Sequence, residues 1–431
     1  MKSWSASGKQ HQPSLSLKCK TRLQRGGGVR IPITSQKKKQ RNMEYKLRDY
    51  QQEAVNRALQ FFRTGRGNAI MVLPTGSGKS VVIASIAKEL GEPMVIFQPN
   101  KEILEQNYEK FCAVSKNVGA GVYSASVGRK EMCIVTFATI GSVKGCKSSF
   151  ARYRYCIVDE CHNVNPQGGM YRDFIQYTGC RVLGLTATPY RLTSSLLHGS
   201  MLKFLTRVRD RVFDSMIYCV QIKTLSKRGF LAPIDYYSLN VVDQRRLKLN
   251  STGMDFDEAS VKAYYQKVRF SERLLSIVKR LLATGRTNIL VFTQYTDEAS
   301  RLVDSLDGLA AIVTGGTKKA ERERILNRFK EGKINVVANV GVLTTGFDYP
   351  ELATVVLARP TMSLALYYQM VGRCIRPHEG KRAWLVDLCG NCNRFGMVED
   401  LVITERRPRM YAVESKGKQL TNVYFRKHGQ G

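Results

Sequence analysis

The stretch Leu73-Pro-Thr-Gly-Ser-Gly-Lys-Ser80 is a glycine-rich turn that ends in Lys-Ser and lies between two apolar runs. Upstream, residues 69–73 have the composition of a short buried strand, and downstream residues 81–90 can continue as a helix. A strand, a glycine-rich loop and a helix in this order are typical of a phosphate-binding loop. Gly76 and Gly78 allow backbone N–H groups to close around phosphate oxygens at the helix N-terminus. The stretch therefore predicts a site for a nucleoside triphosphate.

The last two residues of this loop have predicted roles of their own. We expect Lys79 to reach the β- and γ-phosphates and the Ser80 hydroxyl to ligate Mg²⁺. The loop residues expected to surround the nucleotide are Pro74, Thr75, Gly76, Ser77, Gly78, Lys79 and Ser80.

A pair of carboxylates follows a second apolar run, in Tyr155-Cys-Ile-Val-Asp-Glu-Cys-His162. The pair stands at the C-terminal end of the predicted strand, where ligands of open α/β sheets lie. We expect Asp159 to hold Mg²⁺ through water and Glu160 to polarise the water that attacks the γ-phosphate. The sequence thus predicts hydrolysis as well as binding, with a nucleoside triphosphate and Mg²⁺ as the cofactors and Ser80 and Asp159 as the metal ligands.

Basic residues greatly outnumber acidic residues: the 431 residues include 68 Lys and Arg against 35 Asp and Glu, for a formal net charge of +33. Such an excess predicts a polyanionic partner, with nucleic acid favoured over an anionic membrane. No apolar run approaches the length of a membrane span. The 11 cysteines lack the spacing of a disulfide framework, which fits reduced thiols. We therefore expect a soluble, intracellular, cytoplasmic protein with no membrane partner.

Residues 1–42 differ from the rest of the chain, because they contain eleven Lys or Arg and no Asp or Glu. A segment of this composition cannot bury a core, so we expect a basic, disordered tail. It either binds nucleic acid or, if translation starts at Met43, is not part of the natural protein. Without these eleven charges the chain keeps a net charge of +22, so the prediction of a polyanionic partner does not depend on the tail.

Strand-like and helix-like segments alternate from Tyr45 onward, which predicts an α/β fold with parallel sheets. The predicted strands are 69–73, 94–98, 132–137, 155–158, 181–185, 288–293, 310–313, 334–338 and 354–357. Residues 271–284 and 317–332 are predicted helices, the second with a capped start at Thr317. Residues 193–269 are interpreted as a charged connector. The predicted domains are 43–232 and 233–405, followed by a basic C-terminal tail at 406–431.

These motifs together resemble helicase superfamily 2, whose DEAH-like box is written here as Asp159-Glu-Cys-His162. The other motifs of that superfamily are matched, in order, by residues 47–55, 98–106, 136–139, 185–189, 292–295, 339–350 and 369–376. The resemblance covers roughly residues 45–395. It implies two tandem RecA-like parallel-sheet domains with the ATP site in the cleft between them.

The resemblance also implies roles for residues outside the phosphate-binding loop. Gln51 would contact the adenine base, and Arg48 would support the nucleotide. Gly346 and Asp348 lie in the element that senses nucleotide and strand. Asp348 would bind the ribose or relay closure, with a turn-capping aspartate as the alternative.

Two arginines complete the implied ATP site. Arg373 and Arg376 match the arginine-finger element, and their spacing of three residues fits one helical turn, so both can face one cleft. A cation from the second domain stabilises the charge that develops on the γ-phosphate oxygens. ATP binding to Lys79 and these arginines would then pull the two domains together.

The nucleic-acid path rests on weaker signals. Hydroxyl and amine groups suit phosphate oxygens without reading sequence. The candidates for such contacts are Lys101, Thr136, Thr139 and Thr345. Each is also compatible with an ordinary surface or capping role.

Within the superfamily, the sequence is most similar to the bacterial RadD-like branch, through residues 50–55, 159–162, 343–348, 359–361 and the connector 227–233. This similarity favours DNA over RNA as the partner. That branch carries a longer, cysteine-rich C-terminal region, so functions that need such a region are not carried over to a sequence that ends at Gly431. A chain of this size is typical of a phage-encoded or minimal relative.

The pair Cys389-Gly-Asn-Cys392 has the spacing of two zinc ligands. A structural zinc site needs four ligands, and no second Cys pair or nearby His pair follows. We therefore expect no zinc.

The sequence predicts an ATP-dependent nucleic-acid helicase or translocase that acts on DNA in repair, recombination or replication. Three alternatives stay open. They are an RNA-dependent ATPase, a nucleotide-switched clamp with little turnover, and the motor subunit of a restriction-type complex whose nuclease lies on another chain.

Overall fold

The computed structural model describes residues 46–115, 117–195, 199–344 and 346–425. The predicted tail at 1–42 lies outside these residues. We call the residues up to 232 the first half and those from 233 the second half; both belong to one compact unit.

The first half contains six α-helices and ten strands within the described residues. The helices are α1 (Asp49–Thr64), α2 (Lys79–Leu90), α3 (Lys101–Val114), α4 (Ile140–Val143), α5 (Met170–Thr178) and α6 (Ile222–Lys227). The strands are β1 (Ala69–Val72), β2 (Met94–Phe97), β3 (Ala120–Ser124), β4 (Arg129–Lys130), β5 (Val135–Ala138), β6 (Tyr155–Asp159), β7 (Arg181–Thr186), β8 (Tyr190–Ser195), β9 (Gly199–Phe204) and β10 (Ser215–Cys219).

The described part of the second half repeats this alternation. Its helices are α7 (Glu258–Lys267), α8 (Phe270–Ala283), α9 (Thr296–Asp304), α10 (Lys319–Lys330), α11 (Leu364–Val371) and α12 (Asn391–Phe395). Its strands are β11 (Ile234–Ser238), β12 (Ile289–Thr293), β13 (Ala310–Val313), β14 (Val336–Asn339), β15 (Thr354–Ala358), β16 (Ala383–Asp387), β17 (Leu401–Arg407), β18 (Met410–Ser415), β19 (Lys418–Gln419) and β20 (Tyr424–Phe425).

Each half is built on one large sheet. The first has the order β10-β1-β7-β6-β2-β5-β3-β4 and the second the order β11-β16-β15-β12-β14-β13. All pairs are parallel except β3 with β4. Strands buried on both faces consist of consecutive apolar residues. In β12, for example, Leu290 and Phe292 join the core that continues into the first half, whereas Ile289 and Val291 join a separate core. The predicted α/β class with two parallel sheets is confirmed.

The stretch interpreted as a connector contains elements of both sheets. β10 lies at the edge of the first sheet beside β1, and β11 lies at the edge of the second beside β16. The predicted boundary between 232 and 233 falls between these strands and stays a proposal. The predicted cap at Thr317 is wrong, because α10 begins at Lys319 with Lys318 as its N-cap residue, and the Thr317 hydroxyl instead accepts a hydrogen bond from the Thr314 N–H.

Residues 406–425 do not form a tail. β17, β18 and β19 make a three-stranded sheet, and β20 pairs with β9 of the first half. Gln221 joins β17 to the first half through two hydrogen bonds to the backbone of Ile403, at 2.8 and 3.0 Å. Tyr411 lies on Phe204, with ring centroids 5.5 Å apart. Although this segment is rich in charged residues, it has an apolar face that packs on residues remote in sequence, such as Phe204.

Among the described residues, no helix combines the length and the apolar character needed to cross a bilayer.

Candidate active site

The loop at residues 74–78 connects β1 to α2. Gly76 and Gly78 have φ angles of +82° and +85°, in the left-handed region that favours glycine. Gly78 is the N-cap residue of α2 and offers no side chain to cap it. The first backbone N–H groups of α2 are therefore available to an anion, which the positive end of the helix dipole also favours.

The start of α1 supports this loop from one side. The Gln51 side-chain amide donates to the Ser77 carbonyl at 2.8 Å and accepts from the Arg48 N–H at 3.0 Å. A Cβ atom on Gly78 would lie 2.5 Å from Gln51 Nε2, so only glycine allows this approach. The Arg48 guanidinium lies 4.3 Å from the centroid of the Phe230 ring. Both amide atoms of Gln51 are thus engaged with the protein, and the Arg48 guanidinium lies at the chain segment that joins the halves.

Lys79 and Glu160 form the central ion pair of the site. Lys79 Nζ lies 2.6 Å from Glu160 Oε1, and their side chains are 14% and 16% exposed. Burial alone would raise the pKa of Glu160, but the charge of Lys79 and the hydrogen bond from its ammonium group outweigh it and lower that pKa. Glu160 has a φ of 50°, a left-handed conformation that is uncommon for a residue with a side chain. Such strain is concentrated at functional sites.

Asp159 ends β6 and is 5% exposed. Its Oδ1 accepts from the Glu160 N–H at 3.0 Å, and its Oδ2 lies 3.4 Å from Asn107 Nδ2. Burial, reinforced by the charge of Glu160, raises the pKa of Asp159 to about 7. A nearby cation favours the charged form of such a carboxylate. The Asp159 carboxylate and the Ser80 hydroxyl are oxygen donors of the kind that Mg²⁺ prefers, so these residues fit that ion.

His162 connects the two halves. Its Nδ1 lies 2.9 Å from the Thr186 hydroxyl and 3.4 Å from Glu160 Oε2, and its Nε2 lies 3.1 Å from the side-chain nitrogen of Gln369 in the second half. Burial lowers the pKa of His162, which keeps the ring neutral. A neutral ring that accepts from the Gln369 amide at Nε2 donates from Nδ1 toward Thr186 and Glu160. The sequence analysis did not identify this bridge, because its ends are far apart in the chain.

The two predicted arginines face the same cleft but not from one helical turn. α11 ends at Val371, and Arg373 and Arg376 lie in the turns that follow it, so the helical argument for their placement is wrong. Arg373 is 7% exposed and donates to the Phe347 carbonyl at 2.9 Å. Burial lowers the pKa values of Arg373 and Arg376 to about 10, and the charge of Glu160 acts on Arg373 in the opposite direction.

The second half approaches the phosphate-binding loop closely at two points. A Cβ atom on Gly372 would lie 3.0 Å from Thr75 Cβ, and a Cβ atom on Gly76 would lie 3.6 Å from Arg376 Cγ. Arg376 also forms an ion pair with Asp348. The predicted site residues of both halves are therefore brought together, and Gly372 is a contact that the sequence analysis missed.

Gly346 contacts the first half elsewhere. A Cβ atom on Gly346 would lie 3.5 Å from Asn100 Nδ2, at the start of α3.

The candidate nucleic-acid contacts are placed unevenly. Thr136 is wrong as a contact, because it is fully buried in β5 with its hydroxyl 2.6 Å from the Tyr153 hydroxyl. Thr139 is half-buried and bonds to the hydroxyls of Ser124 and Ser142. Lys101 is 23% exposed and lies 3.6 Å from Glu105. Thr345 lies outside the described residues.

The thiols of the Cys389 and Cys392 pair contact different neighbours. Cys389 Sγ lies 3.8 Å from the Tyr265 hydroxyl, and Cys392 Sγ lies 3.5 Å from the Tyr367 hydroxyl. The backbone N–H groups of both cysteines donate to the buried Asp387 carboxylate. This network gives the motif a structural role, and the absence of zinc stays a prediction.

Two family models match the chain. The model described as "Type III restriction enzyme, res subunit" matches residues 44–191, and "Helicase conserved C-terminal domain" matches residues 271–378. The first contains the phosphate-binding loop and the Asp159–Glu160 pair. The second contains Arg373 and Arg376, so each family model covers the residues on one side of the cleft.

Several proteins are similar over most of this chain. A 51.5 kDa protein of a Lactococcus phage is 28% identical, over 75% of this chain and 66% of that protein. The DNA 3'-5' helicase XPB of Mycobacterium tuberculosis is 25% identical, over 77% of this chain and 58% of that protein. The DNA 3'-5' translocase XPB2 of Sulfurisphaera tokodaii is 25% identical, over 79% and 81%. The chain thus spans less than two thirds of the phage and mycobacterial proteins.

Solved structures agree on the fold. The ATP-dependent Type ISP restriction-modification enzyme LlaBIII, solved bound to DNA, superposes with a TM-score of 0.59. It is 16% identical, over 80% of this chain and 28% of that enzyme.

Proposed function

We propose that this chain, which belongs to helicase superfamily 2, hydrolyses ATP in order to move along or remodel DNA. The observation that carries the proposal is the convergence of the two halves on one loop. Lys79 and Glu160 are paired at 2.6 Å in the first half, and Gly372 and Arg376 of the second half lie against the same loop. The finer assignment to the RadD-like branch stays a prediction.

In this proposal the nucleotide is ATP with Mg²⁺. The N-terminus of α2 and the loop glycines would hold the phosphates, and Lys79 would exchange its partner Glu160 for the β- and γ-phosphate oxygens. Ser80 and Asp159 would hold Mg²⁺, which when bound neutralises charge on the β- and γ-phosphates. Gln51 would act by bracing the loop, and Arg48, whose guanidinium lies against the Phe230 ring, would support the nucleotide.

Glu160 would then be released to orient the attacking water. Despite its burial, Glu160 has a pKa that its pairing with Lys79 lowers in this structure, so it enters the cycle as a carboxylate, the form that can accept a proton from that water. Arg373 and Arg376 would stabilise the charge that spreads over the γ-phosphate in the transition state. Since these arginines belong to the second half, their engagement links hydrolysis to the distance between the halves.

The His162–Gln369 contact supports this coupling. The His162 ring touches Glu160 on one side and Gln369 of the second half on the other. A shift of the second half would therefore be transmitted to the Glu160 carboxylate through the His162 side chain.

DNA is favoured as the track by the names of two relatives. The names of the mycobacterial and Sulfurisphaera relatives state activity on DNA with 3'-5' polarity. The net charge of +33 suits a polyanion but does not distinguish DNA from RNA.

The test is steady-state ATP hydrolysis by residues 43–431 with single-stranded DNA, duplex DNA, forked DNA and RNA. A Glu160→Gln variant serves as the control for contaminating ATPases. We expect at least about tenfold stimulation by one of the DNA forms and less by RNA. Stimulation by RNA alone would support the RNA-dependent ATPase, and tight binding without turnover would support the clamp.

A further inference from the structure

The buried side-chain amide of Asn107 contacts the carboxylate of Asp159, the proposed metal ligand. Asn107, on α3, is 2% exposed, and its Nδ2 lies 3.4 Å from Asp159 Oδ2. The other carboxylate oxygen of Asp159 accepts from the Glu160 backbone. Asn107 is therefore the side chain that holds the orientation of the Asp159 carboxylate in the described structure.

This contact is at the long end of the hydrogen-bond range. The Asn107 Oδ1 atom has no partner in the described part of the chain, and neither does either amide atom of Gln98, which is 1% exposed. Gln98 follows β2, and Phe97 pairs with Val158, so Gln98 lies beside Asp159 in the sheet. Buried amides are normally hydrogen-bonded. A small movement of α3 can therefore make or break the Asn107 contact without disrupting other bonds of these amides.

The N-terminal end of the same helix touches the second half. Asn100 caps α3 by accepting from the Ile103 N–H at 2.9 Å. A Cβ atom on Gly346 would lie 3.5 Å from Asn100 Nδ2 and 3.8 Å from Ile103 Cγ1. Asn100 and Asn107 are about two helical turns apart, so they lie on one face of α3. α3 thus runs as a rigid element from Gly346 to Asp159.

We propose that Asn107 is a positioning residue that transmits the contact between α3 and the second half to the Asp159 carboxylate. Closure at Gly346 would press on the start of α3 and bring the Asn107 amide into full hydrogen-bonding distance of Asp159 Oδ2. The carboxylate would then be held in the orientation that binds Mg²⁺. The inference rests on the proposed function, since it needs Asp159 to be a metal ligand.

Residues behind a metal ligand typically change metal affinity or activity by about tenfold to a hundredfold. The first measurement is therefore metal affinity, by electron paramagnetic resonance of Mn²⁺ with a non-hydrolysable ATP analogue. We expect Asn107→Ala and Asn107→Leu to weaken Mn²⁺ binding about tenfold. Asn107→Leu keeps the branch at Cγ and leaves no cavity, so it serves where the smaller residue destabilises the fold. Glu109→Ala, an exposed position on the same helix, is the control and should bind as the wild type does.

The second measurement is ATP hydrolysis with and without DNA. We expect the Asn107 variants to lose most of the stimulation by DNA, through kcat rather than the KM for ATP, because Asn107 does not face the nucleotide. A folded Asn107→Leu variant with wild-type Mn²⁺ affinity and full stimulation would overturn the inference. If the wild type itself does not respond to any polymer, the proposed function fails, and the Mn²⁺ comparison still decides the role of Asn107.

Discussion

Lys79 and Glu160 neutralise each other in the place where the phosphates are proposed to bind. Replacing the lysine leaves a largely buried carboxylate without its partner. We predict that Lys79→Met reduces kcat by at least about a hundredfold and lowers the free energy of unfolding by about 1–3 kcal/mol, because an unpaired buried charge costs free energy. ATPase assays and urea unfolding, followed by circular dichroism, check both effects.

The matched variant for this prediction is Lys79→Met with Glu160→Gln. The second substitution replaces the carboxylate that Lys79→Met leaves unpaired with a neutral amide. The double variant should therefore recover part of the lost stability and none of the activity. Equal stability of the wild type and Lys79→Met would show that the ion pair contributes nothing to the fold.

A substitution at Gly372 tests the contact between the halves by adding a single atom, Cβ, at the point where they meet. The Gly372 φ of −56° suits any residue, but an added Cβ would lie 3.0 Å from Thr75 Cβ. We predict that Gly372→Ala lowers kcat about tenfold, because a small misplacement of the arginines is costly for catalysis. The free energy of unfolding should stay within about 1 kcal/mol of the wild type, since alanine is the better residue in this conformation.

Gly315→Ala is the control, because nothing lies within 4 Å of a Cβ atom there. Its kcat and its stability should match those of the wild type. A Gly372→Ala variant with full activity would mean that hydrolysis does not require this approach of the halves.

At the scale of elements, the C-terminal strands are joined to the first half by Gln221. The Gln221 side-chain amide donates to the Ile403 carbonyl and accepts from the Ile403 N–H, as the backbone of a neighbouring strand would. We predict that Gln221→Ala lowers the protection of the 401–407 amides in hydrogen exchange by about tenfold to a hundredfold, since two hydrogen bonds of about 1 kcal/mol each are lost. Hydrogen-exchange mass spectrometry of this segment checks the result. The control is Gln60→Ala, at an exposed position on α1, which should leave the protection of the 401–407 amides unchanged.

Elements with local signals were predictable, and elements with remote partners were not. The central strands are consecutive apolar runs, and β1, β6 and β12 lie within two residues of their predicted bounds. β17 and β18 were missed because their short apolar runs lie in a segment rich in charged residues and pack on residues distant in sequence, as Tyr411 does on Phe204. In the same way, the loop and the carboxylate pair were visible as motifs. Asn107 and the His162–Gln369 bridge were not, since only folding brings their partners together.

At the scale of the whole molecule, the halves are connected twice. The chain leaves the first sheet between β10 and β11, and after β16 it returns to pair β20 with β9. A core of buried residues also continues from the first sheet to one face of the second. Any opening of the cleft must accommodate both crossings, which restricts the relative motion of the halves more than a single linker would.

The net charge sets the expected behaviour toward DNA. Residues 43–431 keep a charge of +22, so their binding to DNA should release counterions and weaken steeply with salt. We predict that raising KCl from 50 to 200 mM weakens duplex binding by about a thousandfold, the loss typical of proteins that contact six or more phosphates. Fluorescence anisotropy of the Glu160→Gln variant measures this affinity without ATP turnover. The full chain should show a steeper dependence, because residues 1–42 add eleven positive charges. An affinity that is independent of salt would contradict the electrostatic argument and, with it, the assignment of a polyanionic track from charge.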